Sequence, residues 1–443
     1  MYANKSIPVT KNLYITLFEP QLIRTFLLAD KSQFLKDLNE EFKVVIITSS
    51  ELNELVKEGI NKVSLSGTVS ILNFDDYKDS TFTRLISFIL YWTNKSPAIK
   101  LKIGRLWLEE RKMIKTMVKL VINKVFLRNY KVVKFLRFLF YKSINFDRLK
   151  HCFNRSLNIK NSDLLFITSL TNAWEDLPIG AYFRKNNAQI VGTVRSWDNL
   201  TNHGYLKLAP DIFLSHSEVM LGYAGKFQCL PSGSVVTAVT PVYQKIFQKT
   251  KPSESLGIIN IAYMCMGKST NPDDENLVRW LINEWRLMPN NFKLTILQHP
   301  KFVMKFDDIT LSKNITIAVF RYENSNLIDY YDFIAEQDLI VCGGTTAALD
   351  AAFLGIPVVA IGFEIVKQNY WASALRYFDT KPHTKDFFEN SEILVINNKN
   401  ELIRNLVKYK EILGVNSHLL CRFTGNDKIS FNNVLLDVLK RFN

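Results

Sequence analysis

The sequence predicts an α/β fold: two successive domains, each a parallel sheet with helices on its faces, facing each other across a cleft. Three observations predict it. Short β-rich apolar runs alternate with helical patterns along most of the 443 residues. The composition, 47% apolar and 22% charged, is that of a globular chain. A polar stretch, Gln248–Ser255 (QKTKPSES), interrupts the alternation, which restarts at Gly257. Two or three domains of ordinary size fit that length.

The strands are placed first. Asn12–Phe18 (NLYITLF) and Phe42–Ser49 are strand candidates flanking a helical stretch, Gln21–Asn39, and Val63–Phe74 is a third. Asp163–Thr168, Ala188–Val194, Asp211–Ser215 and Val235–Val239 continue the pattern. After the linker come Gly257–Tyr263, Lys293–Leu297, Leu339–Cys342 and Val358–Ile361, with a helix at Asp273–Trp285 opened by Asn271-Pro272. A periodic helix, Ile429–Phe442, ends the chain. The expected domains are therefore residues 1–250, residues 256–425, and a C-terminal helix, residues 426–443, packing back on the first domain. In open parallel sheets ligands bind beyond the carboxyl ends of the strands, so site residues are sought just after strands.

Charge narrows the partners. The chain carries 56 Lys and Arg against 42 Asp and Glu, a net +14, which favours anionic partners; a Lys- and Asn-rich composition bias is the bland source of the same excess. Ten of the basic residues fall between Arg111 and Lys142, without one Asp or Glu, interleaved with apolar residues at roughly helical spacing. A basic helical insertion at about 105–145 of the first domain either docks on an anionic membrane or packs on the sheet with a solvated basic face. No nucleic-acid-binding motif accompanies it, so no nucleic-acid partner is expected. Five scattered cysteines without C-x-x-C, and six histidines without metal-ligand spacing, point to a reducing compartment and no bound metal. The N-terminus lacks a signal-peptide pattern, so the expected location is cytoplasmic, with peripheral attachment to the inner face of the cytoplasmic membrane.

The strongest local signal runs from Gln337 to Glu364, QDLIVCGGTTAALDAAFLGIPVVAIGFE. A strand ends at Cys342. Gly343 and Gly344 permit a tight turn and a close backbone approach, and Thr345 and Thr346 open a helix running to Leu354. The free amides and dipole of that helix end favour phosphate oxygens. Asp350 lies one turn further, about 6 Å along the axis, alone in an apolar helix. An acid there needs donors, and ribose hydroxyls would serve. The plain alternative is a strand–helix turn with Asp350 as a surface charge. Leu297-Gln298-His299-Pro300 follows another strand, and His299 either faces a phosphate or sits in an ordinary turn.

The segment Gly344–Pro357 resembles the donor-site helix of GT-B glycosyltransferases, including the transferase that adds N-acetylglucosamine to lipid-linked peptidoglycan precursor, and of UDP-N-acetylglucosamine 2-epimerases. The resemblance implies a fold of two Rossmann-like domains. It also implies that Asp350 holds the nucleotide ribose, although the family usually has the longer Glu at that position. Gln368 and its neighbours Asn369, Tyr370 and Trp371 resemble the family's sugar-contacting stretch. His299-Pro300 resembles a pair found in the epimerases and in CDP-glycerol glycerophosphotransferases.

Arg195–Gly204 (RSWDNLTNHG) follows a strand and gathers more polar side chains than a turn needs. It resembles the S-W-D-N-x-T-x-x-G signature of bacterial surface-carbohydrate transferases. Sugar transfer needs a base for the acceptor hydroxyl and positive groups for the leaving diphosphate. Asp198 is the first choice of base, with His203 and His216 as competitors, and Arg195 would hold an anion. Trp197, Asn199 and, after the first strand, Glu19 are acceptor-side candidates. Alternatively, Asp198 and Asn199 cap a turn or the next helix. Glu175 and Asp176 are the nearest further acids.

The expected activity is transfer of a sugar from a nucleotide-activated donor to a lipid-linked or surface-polysaccharide acceptor, with the nucleotide-sugar as substrate and no cofactor. A CDP-glycerol type phosphotransferase, a non-hydrolysing UDP-sugar epimerase, and a non-enzymatic basic binding protein are the rivals.

Overall fold

The computed structural model describes residues 11–28, 33–65, 67–109, 113–125, 130–171, 175–239, 257–299, 302–319, 327–391, 393–408, 417–424 and 430–442. The linker Gln248–Ser255 lies outside them. The chain forms two compact units. Unit 1 comprises residues 1–95, 121–244 and 425–443; unit 2 comprises residues 96–120 and 245–424.

Unit 1 is built on seven parallel strands: β1 (Asn12–Thr16), β2 (Lys43–Thr48), β3 (Ser70–Asn73), β4 (Leu164–Ile167), β5 (Gln189–Gly192), β6 (Ile212–Ser215) and β7 (Val235–Thr237). Their spatial order is β3-β2-β1-β4-β5-β6-β7. Because helices cover such a sheet, the strands read as continuous apolar runs rather than alternating ones. All four residues of β4 are buried. Phe26, Phe34, Phe166 and Phe431 pack together, with ring centroids 5.1 Å apart for Phe26–Phe34 and 6.1 Å for Phe166–Phe431. Phe431 belongs to the C-terminal helix Phe431–Lys440, which thus completes the core of unit 1.

Unit 2 repeats the plan with six parallel strands: β8 (Ile259–Met264), β9 (Phe292–Gln298), β10 (Ile315–Val319), β11 (Leu339–Cys342), β12 (Val358–Ile361) and β13 (Leu394–Ile396), in the order β10-β9-β8-β11-β12-β13. Trp285, fully buried, anchors the helix Asp274–Trp285 over this sheet and donates its indole N–H to the Phe292 carbonyl at 3.4 Å. In each sheet the winding direction reverses once, between β1 and β4 and between β8 and β11. Those two points are where doubly wound sheets open a crevice for a ligand.

Two features depart from the sequence reading. The expected insertion in the first domain divides: residues 96–120 cluster with unit 2 and residues 121–142 with unit 1. The helix Pro97–Glu109 buries Leu101 against Met266, Ala374 and Tyr377, which explains its allegiance. The next helix, Met113–Val125, is inverted. Its buried positions are the polar Thr116, Lys119 and Asn123, while Ile114 is 81% exposed and Met117, Val118 and Val121 are about half exposed. Asn123 explains part of this, because its amide donates to the carbonyls of Trp92 (2.8 Å) and Asn94 (3.0 Å). In the helix Tyr130–Ser143, Phe135 and Phe138 are exposed, whereas Arg137 turns inward. Among the described residues no helix is long and apolar enough to cross a membrane.

Candidate functional site

In unit 2 the loops following β8, β9 and β11 meet at the reversal point. Gly343 and Gly344 do not adopt a left-handed backbone. They are required for the close approach instead. A Cβ at Gly343 would fall well inside 3.0 Å of the Met266 sulfur, and one at Gly344 would lie 3.0 Å from Tyr377 Cβ. The turn closes with the Thr345 amide donating to the Gly343 carbonyl at 2.8 Å. Thr345 is the N-cap of the helix Thr346–Phe353, extended in backbone and without a side-chain cap bond. Its hydroxyl adjoins the buried Cys342 thiol, which burial pushes up to about 12. The start of the helix therefore presents its amide end at the carboxyl edge of the sheet.

Asp350 is buried, so it is no surface charge. Its carboxylate accepts from the Tyr330 hydroxyl of the helix Leu327–Ala335 at 3.3 Å. One of the donors it needs is thus a protein side chain. His299 follows β9 and lies tilted against Phe302, with ring centroids 5.4 Å apart; its Cβ stands 3.2 Å from where a Cβ on Gly267 would be. His299 and the Gly267 turn are thereby neighbours. Pro300 lies outside the described residues. Gln368 turns back on its own loop, its amide donating to the Val366 carbonyl at 2.7 Å.

Two aspartates organise these loops. Asp273 accepts from the Ile365 and Val366 amides at 2.5 and 3.1 Å, fastening the start of its helix to the loop after β12. Asp274 accepts from the Tyr263 hydroxyl (2.5 Å) and the Gly267 amide (2.8 Å). Burial raises its pKa, and these two bonds oppose the rise. The sequence showed Asn271-Pro272-Asp273-Asp274 only as a helix opening; nothing in the spacing says that both acids turn inward.

In unit 1 the carboxyl edge is closed by threonines. Thr48, Thr168 and Thr193 each donate a hydroxyl proton to the backbone of the adjacent strand or its extension, at Leu17 (2.6 Å), Thr16 (2.6 Å) and Leu214 (2.9 Å). Glu19, beyond β1, pairs with Arg195, beyond β5, at 2.6 Å. The second carboxylate oxygen of Glu19 is buried without a hydrogen-bond partner among the described residues, as are both oxygens of Asp176. Burial drives the Asp176 carboxyl well above the usual range; the Thr16 hydroxyl opposes, and the nearby Glu175 and Glu19 add to the rise. Asp176 was legible only as an acid near a strand, because its burial depends on how the helix Asp176–Lys185 docks.

The segment after β5 is more tightly built than a protruding loop. Trp197 is 2% exposed. Asn199 accepts from the Ser196 amide (3.0 Å) and the Thr171 hydroxyl (3.2 Å), so its side chain holds the loop. Asp198 precedes the short helix Asn199–Asn202 without capping it, and accepts instead from the Asn202 side-chain amide at 2.7 Å. Its carboxylate is half-buried, and His203, at the other end of that turn, is half-buried as well. Arg137 and Gln228 support the segment from beneath: Arg137 donates to the Leu206 and Gln228 carbonyls, and the Gln228 amide donates to Leu200 and Gly204. His216 is buried beside Thr193 at 3.2 Å, and burial lowers its pKa to about 3, so it is a neutral core histidine. The structure therefore brings Glu19 and Arg195 together, and it separates Trp197 and His216 from solvent.

No protein-family model and no curated protein sequence matches the chain. Solved structures do. A putative UDP-N-acetylglucosamine 2-epimerase from Listeria monocytogenes matches with a TM-score of 0.52 at 10% identity, over 98% of this chain and 97% of that one. The UDP-GlcNAc 2-epimerase from Methanocaldococcus jannaschii matches with a TM-score of 0.51 at 12% identity, over 97% and 99%. The enzyme of that name from Neisseria meningitidis, bound to UDP-GlcNAc, matches with a TM-score of 0.52 at 9% identity, over 98% and 100%. At such identities the likeness is one of fold. With both sheets in the doubly wound order, the chain has the GT-B fold of two Rossmann-like α/β units.

Proposed function

We propose that the protein is a glycosyltransferase that takes a sugar from a nucleoside-diphosphate donor and passes it to a lipid-linked or surface-glycan acceptor. The observation that carries this reading is the Gly343-Gly344 turn. It is pressed against Met266 at the reversal point of the second sheet and opens a helix with Asp350 one turn inside. In this reading the amides at Gly344 and Thr346 face the diphosphate across the turn that Thr345 closes, His299 meets a phosphate oxygen, Gln368 the sugar, and Asp350 the ribose. Helix amides and basic side chains would carry the leaving-group charge without a metal. Asp198 remains the proposed base and Arg195 the proposed anion contact, with Glu19 fixing the direction of Arg195 through their ion pair.

A second reading, epimerisation of a UDP-sugar without an acceptor, is favoured by Glu19 and Asp176. Arg195 pairs with the Glu19 carboxylate, while burial raises the pKa of Asp176 well above the usual carboxylate range, and two carboxyls in such unlike environments are suited to moving a proton both ways. Incubation with UDP-GlcNAc alone separates the two: a changed sugar configuration with UDP still attached would favour epimerisation.

The test of the donor site is a thermal-shift panel of UDP, GDP, CDP, CMP and their sugars on the wild type and on Asp350→Ala. One nucleoside diphosphate at one hundred times its Kd is expected to stabilise the wild type by about 2.7 kcal/mol. Asp350→Ala is expected to lose at least tenfold in affinity for it. Equal affinity in the variant would remove the ribose role.

A further inference from the structure

Arg105 lies on the helix Pro97–Glu109, which comes from the N-terminal third of the sequence yet belongs to unit 2. It is 9% exposed. One terminal nitrogen donates to the Ser269 carbonyl at 2.9 Å and to the Tyr377 hydroxyl; the other donates to the carbonyls of Thr270 (2.6 Å) and Ala372 (2.7 Å). Its Nε is buried without an acceptor. Every one of these partners is neutral, and among the described residues no carboxylate pairs with it. A buried guanidinium without an anion is costly, and carbonyl dipoles offset only part of that cost. Such a cation is retained where an anion comes to it.

Its position says which anion. The carbonyls of Ser269 and Thr270 belong to the loop after β8, and Ala372 and Tyr377 to the segment that follows Gln368. Tyr377 touches Gly344 and Met266 touches Gly343, so one layer of side chains separates the guanidinium from the glycine turn. The preceding residue serves the same joint. Gly104 has the Trp371 indole pressed on its Cα, where any Cβ would clash. A helix-interior glycine costs about as much as any residue but proline, so the close approach is the reason for it.

We propose that Arg105 is the positioning residue of the diphosphate subsite. It clamps the Ser269–Thr270 loop to the Ala372–Tyr377 segment beside the glycine turn, and its uncompensated charge is what the donor's diphosphate neutralises. The inference rests on the donor reading above, and the experiment keeps the two apart.

Calorimetry measures binding of a nucleoside and of its diphosphate to the wild type, Arg105→Met and Arg105→Lys. The base is the one chosen by the thermal-shift panel. The Met variant is expected to lose at least tenfold for the diphosphate and less than threefold for the nucleoside. The Lys variant is expected to keep most of the diphosphate preference, because charge sets it. Equal losses for both ligands in the Met variant would mean a merely structural role and would overturn the proposal, as would an unchanged diphosphate affinity. Should the Met variant not fold, Arg105→Gln, neutral but still a donor to the carbonyls, is read by the same ratio. A wild type that binds none of the panel sinks the donor reading and this inference with it; a wild type that binds, with variants that bind equally well, sinks this inference alone.

Discussion

Asp176 shows what burial does to a single acid. It is fully buried, two other acids are near, and although the Thr16 hydroxyl opposes them the carboxyl pKa stands well above that of an exposed aspartate. The unfolded chain releases that proton near pH 4. Between that pH and the raised folded value, the folded state binds more protons than the unfolded one, so stability falls as pH rises. Asp176→Asn keeps the shape and removes the titration. Its melting temperature is expected to gain on that of the wild type as the pH rises from about 5 towards the raised pKa, read by thermal melts in matched buffers. A gap that does not move with pH would mean that the carboxyl ionises freely. At the same scale, Asp350 was legible as a lone acid in an apolar helix, but Tyr330 was not legible as its donor. The two are 20 residues apart in sequence, and only the docking of one helix on another joins them.

At the scale of elements, the helix Met113–Val125 departs furthest from expectation. Apolar and basic residues at helical spacing predict an apolar face turned to protein or lipid, and the structure turns a polar stripe inward. Thr116, Lys119 and Asn123 are buried while Ile114, Met117, Val118 and Val121 face out beside Lys115 and Lys124. An apolar face flanked by lysines matches an anionic lipid surface, where each exposed lysine is worth about 1 kcal/mol and each inserted aliphatic side chain about 1.5–3 kcal/mol. We therefore expect sedimentation with anionic vesicles. Combining Ile114→Ser, Val121→Ser, Lys115→Gln and Lys124→Gln should weaken it at least tenfold. Lys119 is no part of this face, because it is buried. Binding that survives the four changes intact would assign the face to another partner. Among the strands, β11 and β12 were read to the residue because both lie in the middle of their sheet, buried on both faces. The edge strands β10 and β13 escaped notice although ITIAV and LVI are largely apolar: runs of three to five apolar residues do not by themselves tell a strand from part of a buried helix, and an edge strand is less fully buried than a central one.

For the whole molecule, the consequence of the chain path is interdependence. Unit 1 needs residues 425–443, whose Phe431 completes an aromatic cluster, and unit 2 needs residues 96–120, whose Leu101 and Arg105 pack under its loops. Removing a buried phenylalanine alone costs about 3–5 kcal/mol, a large part of the stability of an ordinary domain. Cutting the sequence between residues 244 and 245 should therefore give two unstable products. Residues 1–244 and 245–443 expressed separately are expected to be insoluble or to melt without cooperativity. Appending residues 425–443 to the first through a flexible tether should restore a cooperative transition by calorimetry. Cooperative melting of residues 1–244 alone would contradict this account.

The local chemistry of the chain determined which segments became buried parallel strands and where a glycine turn would feed a helix, because those signals are written in contiguous residues: apolar runs for strands, paired glycines and threonines for the turn. It also placed Asp198 and Glu19 just beyond strand ends. Tertiary structure alone decided that Arg195 meets Glu19 across 176 positions, that Arg105 reaches loops more than 160 positions away, and that Trp197 and His216 face inward. The physical reason is the same in each case. A side chain's partner and its exposure are settled by which elements dock, and docking brings together residues that no local period connects.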